Sequence, residues 1–239
     1  ADTPFFALLN DDIRLHMSAL DKMLGYLRDN PSVGLVGPRL LYEDGTQQVS
    51  VYSDPSLLRM LFKISGIGRL VHQKSRLRRY VVRSGLGRLL GVASLRQDMV
   101  TGSVDVVKGA VMVVRRDVYD AVGGMDETTR AYGEEVDWHL RIRQARWQVA
   151  YVDEAQVTHY GTGQALSELC GWQIVEDRRA ILNYFLKHKP HWQSLIVRCA
   201  IVAFHGFQCL RTGLFHRSQW RTHFETCKLG LCWTRSRSE

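Results

Sequence analysis

The fold of this chain is decided by the segment Val33-Gly34-Leu35-Val36-Gly37-Pro38-Arg39-Leu40-Leu41-Tyr42 (VGLVGPRLLY). It is apolar over most of its length, which predicts a β-strand buried on both faces. The polar run Glu43-Asp44-Gly45-Thr46 follows directly, and its composition is typical of a tight turn that opens a short hairpin. The sequence therefore predicts a buried strand that ends in a turn.

A second apolar run, Phe5–Leu9, predicts another strand buried on both faces. Between the two strands, four apolar residues recur at helical spacing: Leu20, Met23, Leu24 and Leu27. Ser18 and Asp21 form a capping pattern before this helix, and Asn30-Pro31 ends it. A strand, a helix and a strand in succession predict a right-handed crossover that joins a parallel pair of strands.

The remainder of the chain continues this pattern. Val104–Arg116 is rich in β-branched residues and predicts a strand pair or a bent strand, and Trp147–Val152 predicts one more strand. From Trp172 onward the apolar spacing is helical. The expected fold class is α/β, with a mostly parallel sheet flanked by helices in residues 1–166 and a basic helical region in residues 167–239.

Positive charge is concentrated in one segment. The formal net charge of the 239 residues is +8, yet residues 55–97 contain ten basic residues and no acidic one, which leaves −2 for the rest. Such a basic insert can meet nucleic acid, anionic lipid headgroups or a phosphorylated lipid-linked acceptor, or it can simply be solvated. Phe62 and Tyr80 are its aromatic residues, so base stacking is limited and nucleic acid is not an expected partner.

The five cysteines lie in the last third of the chain without a CxxC pair, which predicts reduced thiols in a cytosolic protein and no disulfides. No signal peptide is visible, and the chain begins in a strand pattern. In the helical tail, aromatic residues lie among arginines and histidines. This composition is typical of a helix in a membrane interface, and equally of a helical cap that packs on the body.

Acidic residues follow the first predicted strand. Asn10-Asp11-Asp12 comes where the strand Phe5–Leu9 ends, and ligands of open α/β sheets collect at such strand ends. Adjacent carboxylates there suit Mg²⁺ or Mn²⁺, particularly an ion shared with a diphosphate. The alternative is a plain turn, since Asn and Asp are common turn residues.

A second acidic group opens a predicted helix in AYGEEVDWHLR, residues 131–141. Acids in a first turn complement the helix dipole, and the same dipole keeps a carboxylate ionised, as a general base requires. Residues three apart share a helix face, so Glu134 and Asp137 should point one way and Glu135 another. His159, beyond the last strand, is either a structural histidine or a ligand that completes a metal site.

Five motifs occur in order: FFALLNDDIRL, VGLVGPRLLYEDGTQQ, VKGAVMVVRRDVYDAVGGMDE, YGEEVDWHLRIRQARWQVAYV and AQVTHYG. Together they resemble the family 2 glycosyltransferases of bacteria, especially the rhamnosyltransferase-like branch, over residues 5–163. The resemblance implies a GT-A fold and an inverting transfer from a dTDP-, UDP- or GDP-linked sugar, with rhamnose as the suggested sugar. It also implies a lipid-linked or polysaccharide acceptor in cell-surface glycan synthesis, and a location on the inner face of the cell membrane.

The resemblance also assigns roles to residues. Donor binding falls to Asn10, Asp11 and Asp12; the metal ligands to Asp12 and His159, for Mg²⁺ or Mn²⁺; acceptor binding to Gly123, Gly124 and Asp126; and catalysis to Glu135 as base, with Glu134 and Asp137. The carboxylate would deprotonate the acceptor hydroxyl while the cation neutralises the departing diphosphate.

The chain departs from the family pattern in three places. Glu135 stands where the family has Asp, Arg146-Trp147 stands where it has Gly-Trp, and the family's first strands would precede Ala1. An extra methylene moves a carboxylate by about an ångström, which can lower a rate about a hundredfold. Glu135 and the missing first strands favour one alternative, an impaired or truncated relative that binds a membrane or a partner. The basic charge leaves a second alternative, a nucleic-acid-binding protein.

Overall fold

The structure is a computed structural model that describes residues 3–67, 87, 100–127, 132–160, 171–212 and 217–232. The chain divides into two compact units. The first unit comprises Ala1–Asp54, Gly91–Asp126 and Glu134–Gly163, and the second comprises Pro55–Leu90, Glu127–Gly133 and Gln164–Glu239. The division of the chain into an α/β domain up to residue 166 and a helical region after it stays a prediction.

Strands and helices are interspersed as far as the last strand, and three helices follow it in the described residues. The strands are β1 Phe5–Leu9, β2 Ile13–Leu15, β3 Val33–Leu41, β4 Val51–Tyr52, β5 Gly102–Val104, β6 Val106–Val107, β7 Val111–Arg115 and β8 Gln148–His159. The helices are α1 Ala19–Asp29, α2 Leu57–Ile64, α3 Arg116–Val122, α4 Glu134–Gln144, α5 Gly171–His188, α6 His191–Thr212 and α7 Arg217–Cys232. The prediction of a mixed α/β chain with a helical C-terminal region is therefore confirmed.

The prediction of a mostly parallel sheet was wrong. The main sheet has the order β1-β7-β3-β8-β2, with β5 also paired to β8, and among the described residues its one parallel pair is β3 with β8. Strands β1 and β3 run in the same direction, as a crossover requires, but each pairs antiparallel with β7, which lies between them. The strand-helix-strand pattern predicts that β1 and β3 run in the same direction. Whether they are hydrogen-bonded neighbours depends on β7, which lies about 75 residues later in the chain.

Strand β3 is the centre of the first unit, as its composition predicts. Val36 belongs to a core cluster with Met23 and Leu27 of α1, while Leu35 faces a second cluster that includes Trp138 of α4. Helices thus cover both faces of the sheet, because successive side chains of a strand point to opposite faces. Strand β1, in contrast, lies at an edge of the sheet in the described residues, and the prediction that both its faces are buried was wrong: Leu9 is 47% exposed.

The two glycines of β3 allow close packing. A Cβ atom at Gly37 would lie 2.7 Å from the Cβ of Val107, and one at Gly34 would lie 2.8 Å from Cγ2 of Val118. These distances are shorter than real contacts of a Cβ atom. The pattern VGLVGP therefore lets β6 and α3 approach the central strand.

Two local predictions have different outcomes. The turn at residues 43–46 is formed: Tyr42 N donates to Thr46 O at 2.7 Å, and Gly45 has the positive φ of +79° that glycine permits. The cap of α1 is not formed as predicted, because Ser18 has φ 61° and its Oγ donates to the Met17 carbonyl instead. The helix nevertheless begins at Ala19, since Met23 and Leu27 are fully buried.

The second unit is helical. Its helix α2, from the start of the basic segment, packs against α6, and Lys63 Nζ lies 2.6 Å from Oδ1 of the buried Asp177 of α5. Most of the predicted basic insert, residues 68–86 and 88–97, lies outside the described residues. Cys199, Cys209 and Cys227 are free thiols, in agreement with the expectation for these three; the side chains of Cys170 and Cys232 lie outside the description.

Candidate active site

The turn between β6 and β7, Lys108-Gly109-Ala110, is where the candidate residues meet. Asn10 N donates to Ala110 O at 3.0 Å, which ties the acidic loop after β1 to this turn. On the other side, Glu135 lies over Gly109: a Cβ atom on that glycine would be 3.6 Å from the Glu135 Cβ and 3.9 Å from its Cδ. The turn therefore lies between the two acidic groups found in the sequence.

Asp12 and His159 are brought together by strand pairing. Ile13 of β2 is paired with His159 of β8, and Tyr160 N donates to Asp12 O at 2.9 Å. As a result, Nε2 of His159 lies 3.4 Å from Oδ1 of Asp12. His159 is not beyond the last strand, as predicted, but is its final residue, because β8 is 12 residues long.

Gln48 holds the other side of the His159 ring. Its Nε2 donates to the His159 carbonyl at 2.6 Å, and its Oε1 lies 2.9 Å from His159 Nδ1. Lys108 Nζ donates to the same Oε1 at 3.4 Å. Asp12, His159, Gln48 and Lys108 thus form one connected polar network.

Charges in this network influence each other. Burial lowers the pKa of Lys108, while the carboxylates of Glu135 and Asp12 act in the opposite direction. Burial is also the main cause that lowers the pKa of His159, followed by the Lys108 charge, and Asp12 opposes both. The Lys108 ammonium is therefore electrostatically coupled to Asp12 on one side and to Glu135 on the other.

The Asp12 and His159 pair fits a divalent cation. Oδ1 of Asp12 is buried and makes no hydrogen bond within the described part of the chain. A buried carboxylate oxygen without a donor is costly, and a cation held by this oxygen and by Nε2 of His159 would satisfy it. No group of three or more His, Cys, Asp or Glu residues suited to a metal occurs among the described residues. The protein would thus supply two ligands, as is common for Mg²⁺ that also binds substrate phosphates.

The three acids of α4 have different surroundings. Asp137 is buried and accepts from Arg141 Nε at 2.9 Å. Oε2 of Glu134 is buried and has no hydrogen-bond partner in the ranges the structure describes. Glu135 faces the turn at Gly109, and its charge is the second cause, after burial, that raises the pKa of Tyr52. Of these acids, Glu135 is the one that lies against the Lys108-Gly109-Ala110 turn and is electrostatically coupled to Lys108.

The Gly123–Gly124 loop is fixed by α4. Trp138 Nε1 donates to Gly123 O at 2.8 Å, and Arg141 Nη2 donates to Gly124 O at 2.7 Å. Gly123 has φ 74° and ψ −176°, a conformation that favours glycine. Asp137 therefore orients the arginine that holds this loop, which favours a positioning role for Asp137. Acceptor binding by Gly123, Gly124 and Asp126 stays a prediction.

The sequence missed two members of the network. Lys108 had a signal, since it is a charged residue inside the apolar run VDVVKGAVMVV, where burial requires a partner. Gln48 follows a turn and has no signal in the sequence. The predicted donor residues Asn10 and Asp11 are exposed beside Asp12, and their role stays a prediction.

Part of this chain is similar in sequence to known proteins. N-acetylglucosaminyl-diphospho-decaprenol L-rhamnosyltransferase of Mycobacterium tuberculosis is 26% identical over 162 residues, which are 63% of the chain and 45% of that relative. An uncharacterised protein of Mycobacterium bovis is 27% identical over 52% of the chain and 45% of its own length, and one of Sinorhizobium fredii is 28% identical over 64% and 15%. The chain thus spans less than half the length of these relatives. No protein-family model matches the chain. The similarity relates the chain to a glycosyltransferase.

Proposed function

We propose that this chain carries the catalytic residues of an inverting, family 2 glycosyltransferase of the GT-A type. The observation that supports this most is the single network in which Lys108 connects the Asp12–His159 pair to Glu135. A pair that can hold a cation and a carboxylate that can act as base are what transfer from a nucleotide sugar requires. The mycobacterial rhamnosyltransferase supports the reaction class.

Each residue then has a defined task. Glu135 accepts the proton of the acceptor hydroxyl while the hydroxyl oxygen attacks the anomeric carbon. The bond from that carbon to the diphosphate oxygen breaks as the hydroxyl attacks from the opposite side. The configuration of the sugar therefore inverts. The Lys108 ammonium is electrostatically coupled to both carboxylates and would offset the negative charge of the diphosphate. Mg²⁺ or Mn²⁺ held by Asp12 and His159 would supply further positive charge to the leaving group.

The substrates are proposed from the same relative. Its name states an acceptor with N-acetylglucosamine on decaprenyl diphosphate and rhamnose as the transferred sugar. We extend to this chain a lipid-linked acceptor, a nucleotide-sugar donor that is dTDP-, UDP- or GDP-linked, and a role in polysaccharide assembly of the bacterial cell envelope.

A donor panel tests this function. The protein, with any upstream segment that its reading frame encodes, is incubated with dTDP-rhamnose and with UDP- and GDP-sugars, with Mn²⁺ or with EDTA. We expect turnover of one donor, dependent on the metal and lost in Asp12→Ala, because the buried Oδ1 is then removed. Asp21→Ala, an exposed acid of α1, is the matched control. If no donor is turned over and none binds with Mn²⁺, the chain is instead a binding protein that lacks this activity.

We also propose that α6 attaches the second unit to the inner face of the cell membrane. Between His191 and Arg211, every exposed residue of α6 is apolar: Trp192, Leu195, Ile196, Cys199, Ala203, Phe207 and Leu210. Apart from the adjacent Leu195 and Ile196, successive members are three or four residues apart, which places them on one stripe. Arg198 is directed elsewhere, since it donates to the carbonyls of Gly230 and Leu231 of α7.

An anionic bilayer is the partner that fits this stripe. Residues 167–239 contain eleven basic and five acidic residues, so the charge of the region complements anionic headgroups. Helix α6 is also long and apolar enough to cross a membrane by length and composition. Its opposite face packs on neighbouring helices, however, with Val197 and Ile201 buried. This packing favours a helix that lies in the interface.

Vesicle flotation measures this attachment. Phe207 and Leu210 are 64% and 78% exposed, and we expect Phe207→Gln/Leu210→Gln to reduce binding to phosphatidylglycerol vesicles by roughly ten- to a hundredfold. Leu231→Gln, which changes a leucine of α7 that is 63% exposed, should bind like the wild type. Equal binding by the double variant would contradict the proposal, as would a wild-type protein that floats with neither anionic nor neutral vesicles.

A further inference from the structure

Gln48 is buried to 2% exposure and lies 111 residues from His159 in sequence, yet three hydrogen bonds define its orientation. Its Nε2 faces the His159 carbonyl oxygen, which only accepts hydrogen bonds. Its Oε1 faces Lys108 Nζ, which only donates. A reversed amide would place oxygen against oxygen at 2.6 Å and an NH₂ group against an ammonium. The carboxamide therefore has one favourable orientation.

That orientation determines the imidazole as well. Oε1 of Gln48 lies 2.9 Å from His159 Nδ1, and because a carbonyl oxygen only accepts, Nδ1 must hold the hydrogen. The lone pair of the neutral ring is then on Nε2, the nitrogen that lies 3.4 Å from Asp12 Oδ1. Two acceptor atoms at this separation do not bond to each other, but they can bind the same cation.

We propose that Gln48, held in place by Lys108, is a positioning residue that fixes the Nδ1–H form of His159 and presents Nε2 to a divalent cation shared with Asp12. The inference rests on the proposed function for the identity of that cation. Partners that orient a metal-binding histidine through its second nitrogen typically change metal affinity 10- to 100-fold when they are removed. Lys108 adds a charge-assisted contact that discourages rotation of the amide.

Two variants separate the role of the acceptor oxygen from that of side-chain volume. Gln48→Leu keeps a similar volume but removes the acceptor, whereas Gln48→Glu keeps an acceptor toward Nδ1. Gln47→Leu is the matched control, since it changes the same residue type one position earlier in the chain. Thermal unfolding of all three variants establishes that they are folded.

The tautomer is measured by two-bond ¹H–¹⁵N NMR on histidine-labelled protein, with the His159 signal assigned by its loss in His159→Gln. We expect the Nδ1–H form in the wild type and in Gln48→Glu, and a shift to the Nε2–H form in Gln48→Leu. We further expect the Kd for Mn²⁺, from electron paramagnetic resonance of the free ion, to rise 10- to 100-fold in Gln48→Leu and to stay unchanged in Gln47→Leu.

The inference is overturned if wild-type His159 is in the Nε2–H form, or if Gln48→Leu keeps both the wild-type tautomer and the wild-type Kd. Failure of the proposed function gives a different result. A wild-type protein that binds no Mn²⁺ contradicts the metal site, whereas the NMR measurement decides by itself whether Gln48 controls the ring.

Discussion

Glu135→Gln is expected to lower kcat for sugar transfer by about 10²- to 10⁴-fold, the usual contribution of a general base. An amide cannot accept the proton of the acceptor hydroxyl, whereas its size and its position over Gly109 are those of the glutamate. The KM for the donor should change little, because the proposed donor and cation contacts are made by Asp12 and His159. Steady-state kinetics with the donor found in the panel measures both constants.

Glu135→Asp is the informative companion variant. It restores the residue type of the family that the chain resembles. It also shortens the side chain, which in this structure extends over Gly109. We expect activity between those of the wild type and Glu135→Gln, because a displacement of about an ångström can cost about a hundredfold. If Glu135→Gln is as active as the wild type, Glu135 is not the base. The neighbouring Glu134, with its buried Oε2, would then be the next acid to replace.

The second large effect concerns stability in acid. His139 of α4 is fully buried, and burial, followed by the charge of Arg143, lowers its pKa from 6.5 to about 3. The unfolded chain thus binds a proton between these two pH values and the folded chain does not. The contribution of His139 to the free energy of unfolding is fully present above pH 6.5, and it is lost as the pH falls toward 3. The expected loss between about pH 7.5 and pH 3 is roughly 4 kcal/mol.

His139→Leu isolates this contribution. The variant has no proton to bind, so the free energy of unfolding should fall less in acid than that of the wild type. Neither ring nitrogen of His139 has a hydrogen-bond partner in the described part of the chain, so we also expect about 1 kcal/mol of added stability at neutral pH. Urea unfolding from pH 8 to pH 3 measures the difference between the two proteins, with His191→Phe at an exposed position as control. Parallel pH curves for wild type and His139→Leu would show that His139 does not cause the acid sensitivity.

Much of the local structure could be predicted because it depends on local patterns. Most of the apolar run 33–42 forms a strand, Val33–Leu41, with a core cluster on each side. The acids of residues 134–137 were expected in the first turn of a helix, where they complement the helix dipole, and the helix begins at Glu134. The capping interaction of Ser18 failed because a cap contributes only about 1 kcal/mol, less than the burial of Met23 and Leu27.

The candidate site was predicted in part for the same reason. Asp12, Glu135 and His159 were visible as polar residues at the ends of predicted elements, where ligands are bound. Gln48 was not visible, and Lys108 showed only as a charge inside an apolar run, because their importance comes from partners far away in sequence: Gln48 contacts His159, and Lys108 is 60 residues from Gln48. Hydrogen-bond geometry between such residues has no periodicity that a sequence pattern could reveal.

Local patterns of residues were enough to predict the long central strands, the helices that flank them and the places where carboxylates accumulate. Long-range strand pairing, in contrast, places β7 between β1 and β3 and pairs β2 with the end of β8, and Asp12 therefore meets His159. The physical reason is that hydrophobic periodicity fixes the face that each segment buries, whereas the choice of strand neighbour depends on packing between segments that the chain brings together only on folding. Glycines 34 and 37 illustrate this: they look like weak points of a strand, and they are the places where β6 and α3 come close.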